Sequence, residues 1–247
     1  MFEPSNFTLE GQIALVTGAG AGIGRGIAEM FAGAGAAVVV SDLKRETADE
    51  VAATIVKNGG RAVGVACNVT KEEDLAAAVQ AAVDNFGGLS ILVNNAGGGG
   101  PKPFDMPMTD FRWAYELNVF APFRLTQLAV PHMEAAGGGA VLNISSMSAE
   151  NKNMRMASYS SSKAAVSHLT RNIAYDLGPK NIRVNGIAPG AIRTAALASV
   201  LTPQVEEAML KHTPLKRLGE PADIAHAALF LCSPASSWVS GQIITVS

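Results

Sequence analysis

Charge is scarce in this sequence: Asp, Glu, Lys and Arg make up 16% of 247 residues, and the formal net charge is -2. No lysine/arginine block forms the footprint by which proteins hold nucleic acid, so no nucleic-acid partner is expected. The pairs Lys44-Arg45 and Lys216-Arg217 read as solvated surface. Cysteine is scarcer still. Cys67 and Cys232 lie far apart in apolar surroundings, with neither CxxC nor metal-type spacing. They read as buried thiols in a reducing compartment, and no metal site is expected. No uninterrupted apolar run reaches membrane-spanning length. The start, MFEPSNFTLEG, lacks the apolar segment of a signal peptide. These absences point to a cytoplasmic protein with no membrane partner.

What is abundant is apolar sequence, 48% of residues, with 25 glycines. Short β-type runs occur at QIALVT (12–17), AAVVVS (36–41), RAVGVAC (61–67), LSILVN (89–94), GAVLNIS (139–145), IRVNGIA (182–188) and QIITVS (242–247). Between them lie helix-length segments with apolar residues at three- and four-residue spacing, such as Ile23 to Ala34 and Glu72 to Phe86. Thr70 followed by Glu73 reads as a capping box for the second of these. Pro221 suits the first turn of the last helix. Near-continuous apolar strands alternating with helices imply an α/β fold, doubly wound, with one parallel seven-stranded sheet covered on both faces. No linker or repeat interrupts the chain. A single domain over 1–247 is expected, with a looser insertion about 191–212.

The first strand runs into TGAGAGIG (Thr17 to Gly24), and a helix follows. Gly18, Gly22 and Gly24 suit a tight turn, close backbone approach and helix–strand contact. The free N–H groups and positive helix end would then face a pyrophosphate. A plain structural turn is the bland alternative. The next strand ends in Asp42, eighteen residues past Gly24. A carboxylate there accepts hydrogen bonds from an adenosine ribose and repels a 2′-phosphate; it also suits a helix N-cap. Lys44 and Arg45 would favour the phosphate, but Asp42 weighs more, so NAD is expected over NADP.

In SYSSSK, Tyr159 and Lys163 stand one helical turn apart, with small serines between them. A free phenol titrates near ~10 and is a poor base at neutral pH; an adjacent ammonium stabilises the phenolate. A drop of about three pH units would take roughly 4 kcal/mol and leave Tyr159 able to exchange a proton with an alcohol or ketone oxygen. The serines leave the pair unobstructed. The strand AVLNIS delivers Ser145-Ser146 at its carboxyl edge, where open α/β sheets place ligands, with Ser146 thirteen residues before Tyr159. NNAG (Asn94 to Gly97) ends the fourth strand with small residues that admit a cofactor, and Asn118 lies on another helical segment.

The ordered set TGxxxGxG, NNAG, Asn118, Ser146 and YxxxK resembles the short-chain dehydrogenase/reductase family along essentially the whole chain. The resemblance implies a Rossmann-like fold and hydride chemistry with Ser146, Tyr159, Lys163 and Asn118 as a catalytic tetrad. Tyr159 would be the acid/base and Ser146 would position the substrate oxygen. Lys163 would bind the nicotinamide ribose and lower the tyrosine pKa, and Asn118 would hold a water in a proton relay. Cofactor contacts are implied at Gly18, Gly22, Ile23, Gly24, Asp42, Leu43, Asn68, Val69, Asn95, Ala96, Gly97, Tyr159, Lys163, Pro189, Gly190, Ile192 and Thr194. Asn68 departs from the usual aspartate beside adenine; its carbonyl oxygen would still accept. The family also implies a homotetramer, built on helices near 111–135 and 159–177, with Ala164, Ala165 and Ala174 allowing close contact or packing on the sheet.

Four glycines (Gly97 to Gly100) precede Pro101, Pro103 and Phe104, and Met147, Met154 and Met156 fall between Ser146 and Tyr159. The plain readings are a flexible connector and ordinary packing. The functional reading is a wide cleft with soft apolar walls for a bulky rigid ligand. These segments resemble those of bacterial family members acting on hydroxysteroids. That implies a bile-acid substrate, oxidised at the 7α-hydroxyl to the 7-oxo form and back, with contacts at Gly99, Ser146, Asn151 and Tyr159. A ketoreductase for a 3-oxoacyl thioester or a polyol, and an NAD-sensing regulator without catalysis, are the alternatives.

Overall fold

The structure is a computed structural model of the chain and describes residues 3–199 and 201–247. Seven short apolar runs form strands β1 (Ile13–Thr17), β2 (Ala37–Asp42), β3 (Arg61–Ala66), β4 (Ile91–Asn94), β5 (Gly139–Ile144), β6 (Ile182–Pro189) and β7 (Ile243–Val246). They pair in parallel in the order β3-β2-β1-β4-β5-β6-β7. Helices α1 (Gly22–Gly33), α2 (Arg45–Lys57), α3 (Glu72–Phe86), α4 (Met108–Tyr115), α5 (Ala121–Ala135), α6 (Ala157–Leu177), α7 (Ala195–Ala198), α8 (Pro203–Lys211) and α9 (Pro221–Cys232) connect and cover them.

Strand alternation divides the core between two faces. Leu15 lies opposite Val39 and Leu92, and with Val141 and Val184 packs on α3, α5 and α6. Their neighbours Val16, Val38, Val40, Val93 and Leu142 point the other way, onto α1, α2 and α9. Both faces being buried, the strands carry apolar residues at consecutive positions, as parallel sheets require. The chain winds outward from β1 to β3 and then returns to β4 beside β1. The connections therefore diverge above the carboxyl ends of β1 and β4, leaving a crevice there.

Two local expectations change. α3 begins after Lys71 without a side-chain cap, because the Thr70 hydroxyl donates instead to Asn68 Oδ1 at 2.8 Å. Glu72, Glu73 and Asp74 in its first turn complement the helix dipole, and Asp74 accepts the Asn68 N–H at 2.8 Å. The expected looser stretch about 191–212 contains α7 and α8, whose first turns are capped by the hydroxyls of Thr194 and Thr202. α9 does start at Pro221, and Glu220 and Asp223 cap it reciprocally. Among the described residues, no helix is long and apolar enough to cross a membrane.

Candidate active site

The crevice is floored by the glycine loop between β1 and α1. Gly18 and Gly22 adopt φ of 60° and 56°, a region other residues enter only with strain. A Cβ at Gly24 would collide with Gly18 O and Asn95 Nδ2, and one at Gly22 would come within 3.2 Å of Thr194 Cγ2. Among the described residues no side chain caps the start of α1, so its first N–H groups remain available to an anion. Thr17 binds this loop to the end of β4: its hydroxyl accepts the N–H groups of Asn95 and Ala96 at 3.1 and 3.0 Å. Asn95 Nδ2 in turn donates to Thr17 O and Gly18 O at 2.8 and 3.0 Å. A glycine cradle, an open helix start and a carboxylate at Asp42 fit a dinucleotide lying across β1 and β4.

At the adenosine end, Asp42 does not cap α2; Lys44 is the N-cap residue. Asp42 Oδ2 instead accepts the Gly20 N–H at 2.9 Å, tying the glycine loop to β2. Leu43 is exposed and Val69 buried. Asn68 Oδ1 accepts both the N–H and the hydroxyl of Thr70, at 3.1 and 2.8 Å. Both lone pairs of that oxygen are thus engaged within the chain.

The second half of the site is delivered by β5, α6 and a one-turn π-helix, Glu116–Phe120. Asn118 lies in that turn, of the kind frequent at functional sites. Its Nδ2 donates to Gly98 O at 2.8 Å and Ser162 Oγ at 3.1 Å, while Oδ1 accepts the Gly98 N–H at 3.1 Å. The side-chain amide thus fixes the glycine segment to α6. Ser162, read from sequence as a spacer, is fully buried and donates to Tyr159 O at 2.8 Å. Lys163 Nζ donates to Ile144 O at 2.8 Å and lies 5.9 Å from the Tyr159 ring centroid. A Cβ at Gly97 would stand 2.9 Å from both Lys163 Nζ and Asn118 Oδ1, so this position must stay small.

Burial sets the protonation of the pair. It pushes the Tyr159 phenol above its ordinary 10.0, and a hydrogen bond with Ser146 only partly offsets this. Burial also lowers Lys163 to about 8. The expected depression of the tyrosine by Lys163 is not found, because desolvation dominates both groups. The site at rest holds a protonated phenol beside a lysine that titrates near neutrality.

Around this centre, Ser146 caps the short turn Met147–Ala149, its Oγ accepting the Ser148 N–H at 3.1 Å. Gly99, with φ of 125°, sits against the Tyr159 ring, its Cβ position 2.9 Å from Cδ2. A cavity of about 360 Å3 opens beside it, lined by Gly100, Lys102, Asp110, Trp113 and Ser158. Asn151 is exposed. Of the three methionines, Met154 stands 89% exposed, whereas Met147 Sδ lies near Gly190. Pro189 ends β6, Ile192 is buried in a bridge to Gly219, and Thr194 faces the glycine loop. Ile23 packs against the core behind α1. The hydrogen bonds of Thr17, the buried role of Ser162 and the π-turn are not legible in the sequence; each rests on tertiary contacts that no local pattern announces.

A family model described as enoyl-(acyl carrier protein) reductase matches residues 18–247. The chain is 63% identical over 247 residues to 7alpha-hydroxysteroid dehydrogenase of Escherichia coli (strain K12), covering 100% of this chain and 97% of that protein. It is 38% identical to 7alpha-hydroxysteroid dehydrogenase of Clostridium sardiniense, covering 97% and 93% of the two chains. A solved 7alpha-hydroxysteroid dehydrogenase, complexed with NADH and 7-oxo glycochenodeoxycholic acid, superposes with a TM-score of 0.98 at 63% identity, covering 100% and 97%. The chain belongs to the short-chain dehydrogenase/reductase family.

Proposed function

We propose that this chain interconverts the 7α-hydroxy and 7-oxo forms of bile acids with NAD as the hydride partner. The observation that carries the reading is likeness over the whole chain to an enzyme of that activity, and to its complex with NADH and a 7-oxo bile acid. The gathered Ser146, Tyr159 and Lys163 support it chemically. When bound, NAD supplies the hydride acceptor for oxidation and, reduced, the hydride donor for the reverse.

The chain's own residues position the substrate and move a proton. Ser146 holds the substrate oxygen, and Tyr159 exchanges a proton with that oxygen. Because burial keeps the phenol protonated, reduction of a 7-oxo group starts with its proton in place. Oxidation requires the phenolate, which a charged Lys163 and the Ser146 hydroxyl would favour over the apolar surroundings. Asn118 and Ser162 act one step back, holding Gly98 and the Tyr159 turn of α6 in register. The whole of 1–247 serves as one catalytic unit, with about 191–212 facing the substrate.

Self-association belongs to the same reading. Trp113, Phe120, Phe123 and Tyr175 are 40–86% exposed on the helices expected to form a homotetramer. Ala174 instead packs on the sheet. Cys67 and Cys232, both free and buried, suit a cytoplasmic setting. Incubating the protein with NAD and a panel of bile acids, a sugar alcohol, and, with NADH, a 3-oxoacyl thioester tests the assignment by cofactor absorbance. Turnover confined to bile acids is expected; turnover of the thioester alone would replace the substrate class.

A further inference from the structure

Asp42 is held by more than its own loop. Besides Gly20 N–H on Oδ2, its Oδ1 accepts the Thr47 hydroxyl at 3.1 Å and the Lys44 N–H at 3.3 Å. Thr47 stands in the first turn of α2, and its hydroxyl also lies 2.9 Å from Lys44 O. One hydroxyl has one proton, and of the two acceptors the carboxylate is the stronger. A Cβ at Gly20 would meet Thr47 Oγ1 at 2.6 Å and Asp42 Oδ2 at 2.8 Å, so loop, carboxylate and hydroxyl are packed as one unit. The guanidinium of Arg45, in the first turn of α2, is accounted for as well. Arg45 Nε donates to both carboxylate oxygens of Asp49, at 2.8 and 2.7 Å.

We propose that Thr47 is a positioning residue that orients Asp42 toward the adenosine ribose, while Asp49 withholds Arg45 from a 2′-phosphate. The inference rests on NAD being the cofactor. A carboxylate has about four acceptor sites, and three are taken here, which leaves a directed remainder for a ribose hydroxyl. Fixing it before binding removes part of the ordering cost of association. Asp49 works by competition and by charge: while it pairs with Arg45, a phosphate arriving nearby meets an acid and no free guanidinium. The pair is exposed, so its influence is modest.

Fluorescence titration with NADH and NADPH, backed by steady-state kinetics, tests both parts. Thr47→Ala is expected to weaken NADH binding about ten-fold, the low end of what one hydrogen bond to a charged group is worth. KM for NAD should rise in step, with kcat falling far less, and Thr47→Ser should restore most of the loss. In an Asp42→Ala background, Thr47→Ala should add nothing, since its effect passes through the carboxylate. Asp49→Ala should tighten NADPH binding by about two-fold, the scale of an exposed ion pair. Equal losses from Thr47→Ala with and without Asp42, or failure of serine to rescue, would overturn the positioning role. An Asp49→Ala protein with no gain on NADPH would overturn the second part. Wild-type protein binding NADPH more tightly than NADH would instead overturn the cofactor reading itself.

Discussion

Replacing Lys163 by methionine should make the protein more stable and leave it inactive. The ammonium is buried 5.9 Å from the Tyr159 ring centroid, with one hydrogen bond to Ile144 O. A fall from its ordinary 10.5 to about 8 means that folding holds a charge the interior disfavours, at a cost of roughly 3 kcal/mol at neutral pH. Methionine fills similar volume without charge, and loses the bond to Ile144 O, worth about 1 kcal/mol. The net gain is about 2 kcal/mol, or roughly 4–8 °C in Tm for a chain of this size.

The pH dependence identifies the cause. A lysine whose folded pKa lies below its unfolded one binds fewer protons when folded, so wild-type stability rises with pH from about 8 toward 10.5. About 1 kcal/mol of the cost should be recovered between pH 7 and 9. Cys67, raised to about 11, Cys232, raised to about 12, and Tyr159 act oppositely. Their contribution is complete below the unfolded thiol and phenol values and erodes above them. These groups are common to both proteins and cancel in the difference. Urea unfolding at pH 7 and 9 should therefore show the advantage of Lys163→Met shrinking by about 1 kcal/mol. A variant less stable than wild type at pH 7, or an advantage independent of pH, would refute the reasoning.

Tyr159→Phe should lower turnover by about 10²–10⁴-fold, the usual worth of a positioned acid/base, while NADH fluorescence titration shows nearly unchanged binding. Retention of a large share of the activity would remove Tyr159 from the chemistry. Gly24→Ala places a methyl group against Gly18 O and Asn95 Nδ2. Overpacking of this kind costs about 1–3 kcal/mol, so both thermal stability and NADH affinity should fall, measured by melting with and without NADH. Asn68→Asp should change the KM for NAD only modestly, because Oδ1 already serves Thr70.

The strands were legible because both faces of the sheet are buried: runs such as Ala37–Val40 need no alternation to be recognised. The glycine loop was legible because Gly18 and Gly22 lie at positive φ, where residue type is tightly restricted. Tyr159 and Lys163 are legible because helical spacing brings them together and the ordered motifs around them single the pair out. What sequence reading misjudged lies in competition among polar groups. The Thr70 hydroxyl was claimed by Asn68 and not by the helix start. The π-turn at Glu116–Phe120 carries no distinctive composition, yet it sets where Asn118 points. The tyrosine pKa was read from one neighbour, whereas burial of the whole pocket decides it.

The central claim is stereospecific chemistry at the 7α position of a rigid four-ring body. Hydride transfer needs the reacting carbon near the nicotinamide while its oxygen meets Ser146 and Tyr159, and the 7β epimer turns that oxygen away from both. The decisive measurement is initial NADH formation with chenodeoxycholate, which bears a 7α-hydroxyl, beside ursodeoxycholate, which bears the 7β, at equal concentration. Rapid oxidation of the first and near silence on the second is the predicted result. Comparable rates on both, or brisk oxidation at a 3α-hydroxyl in a bile acid lacking the 7-hydroxyl, would contradict the account.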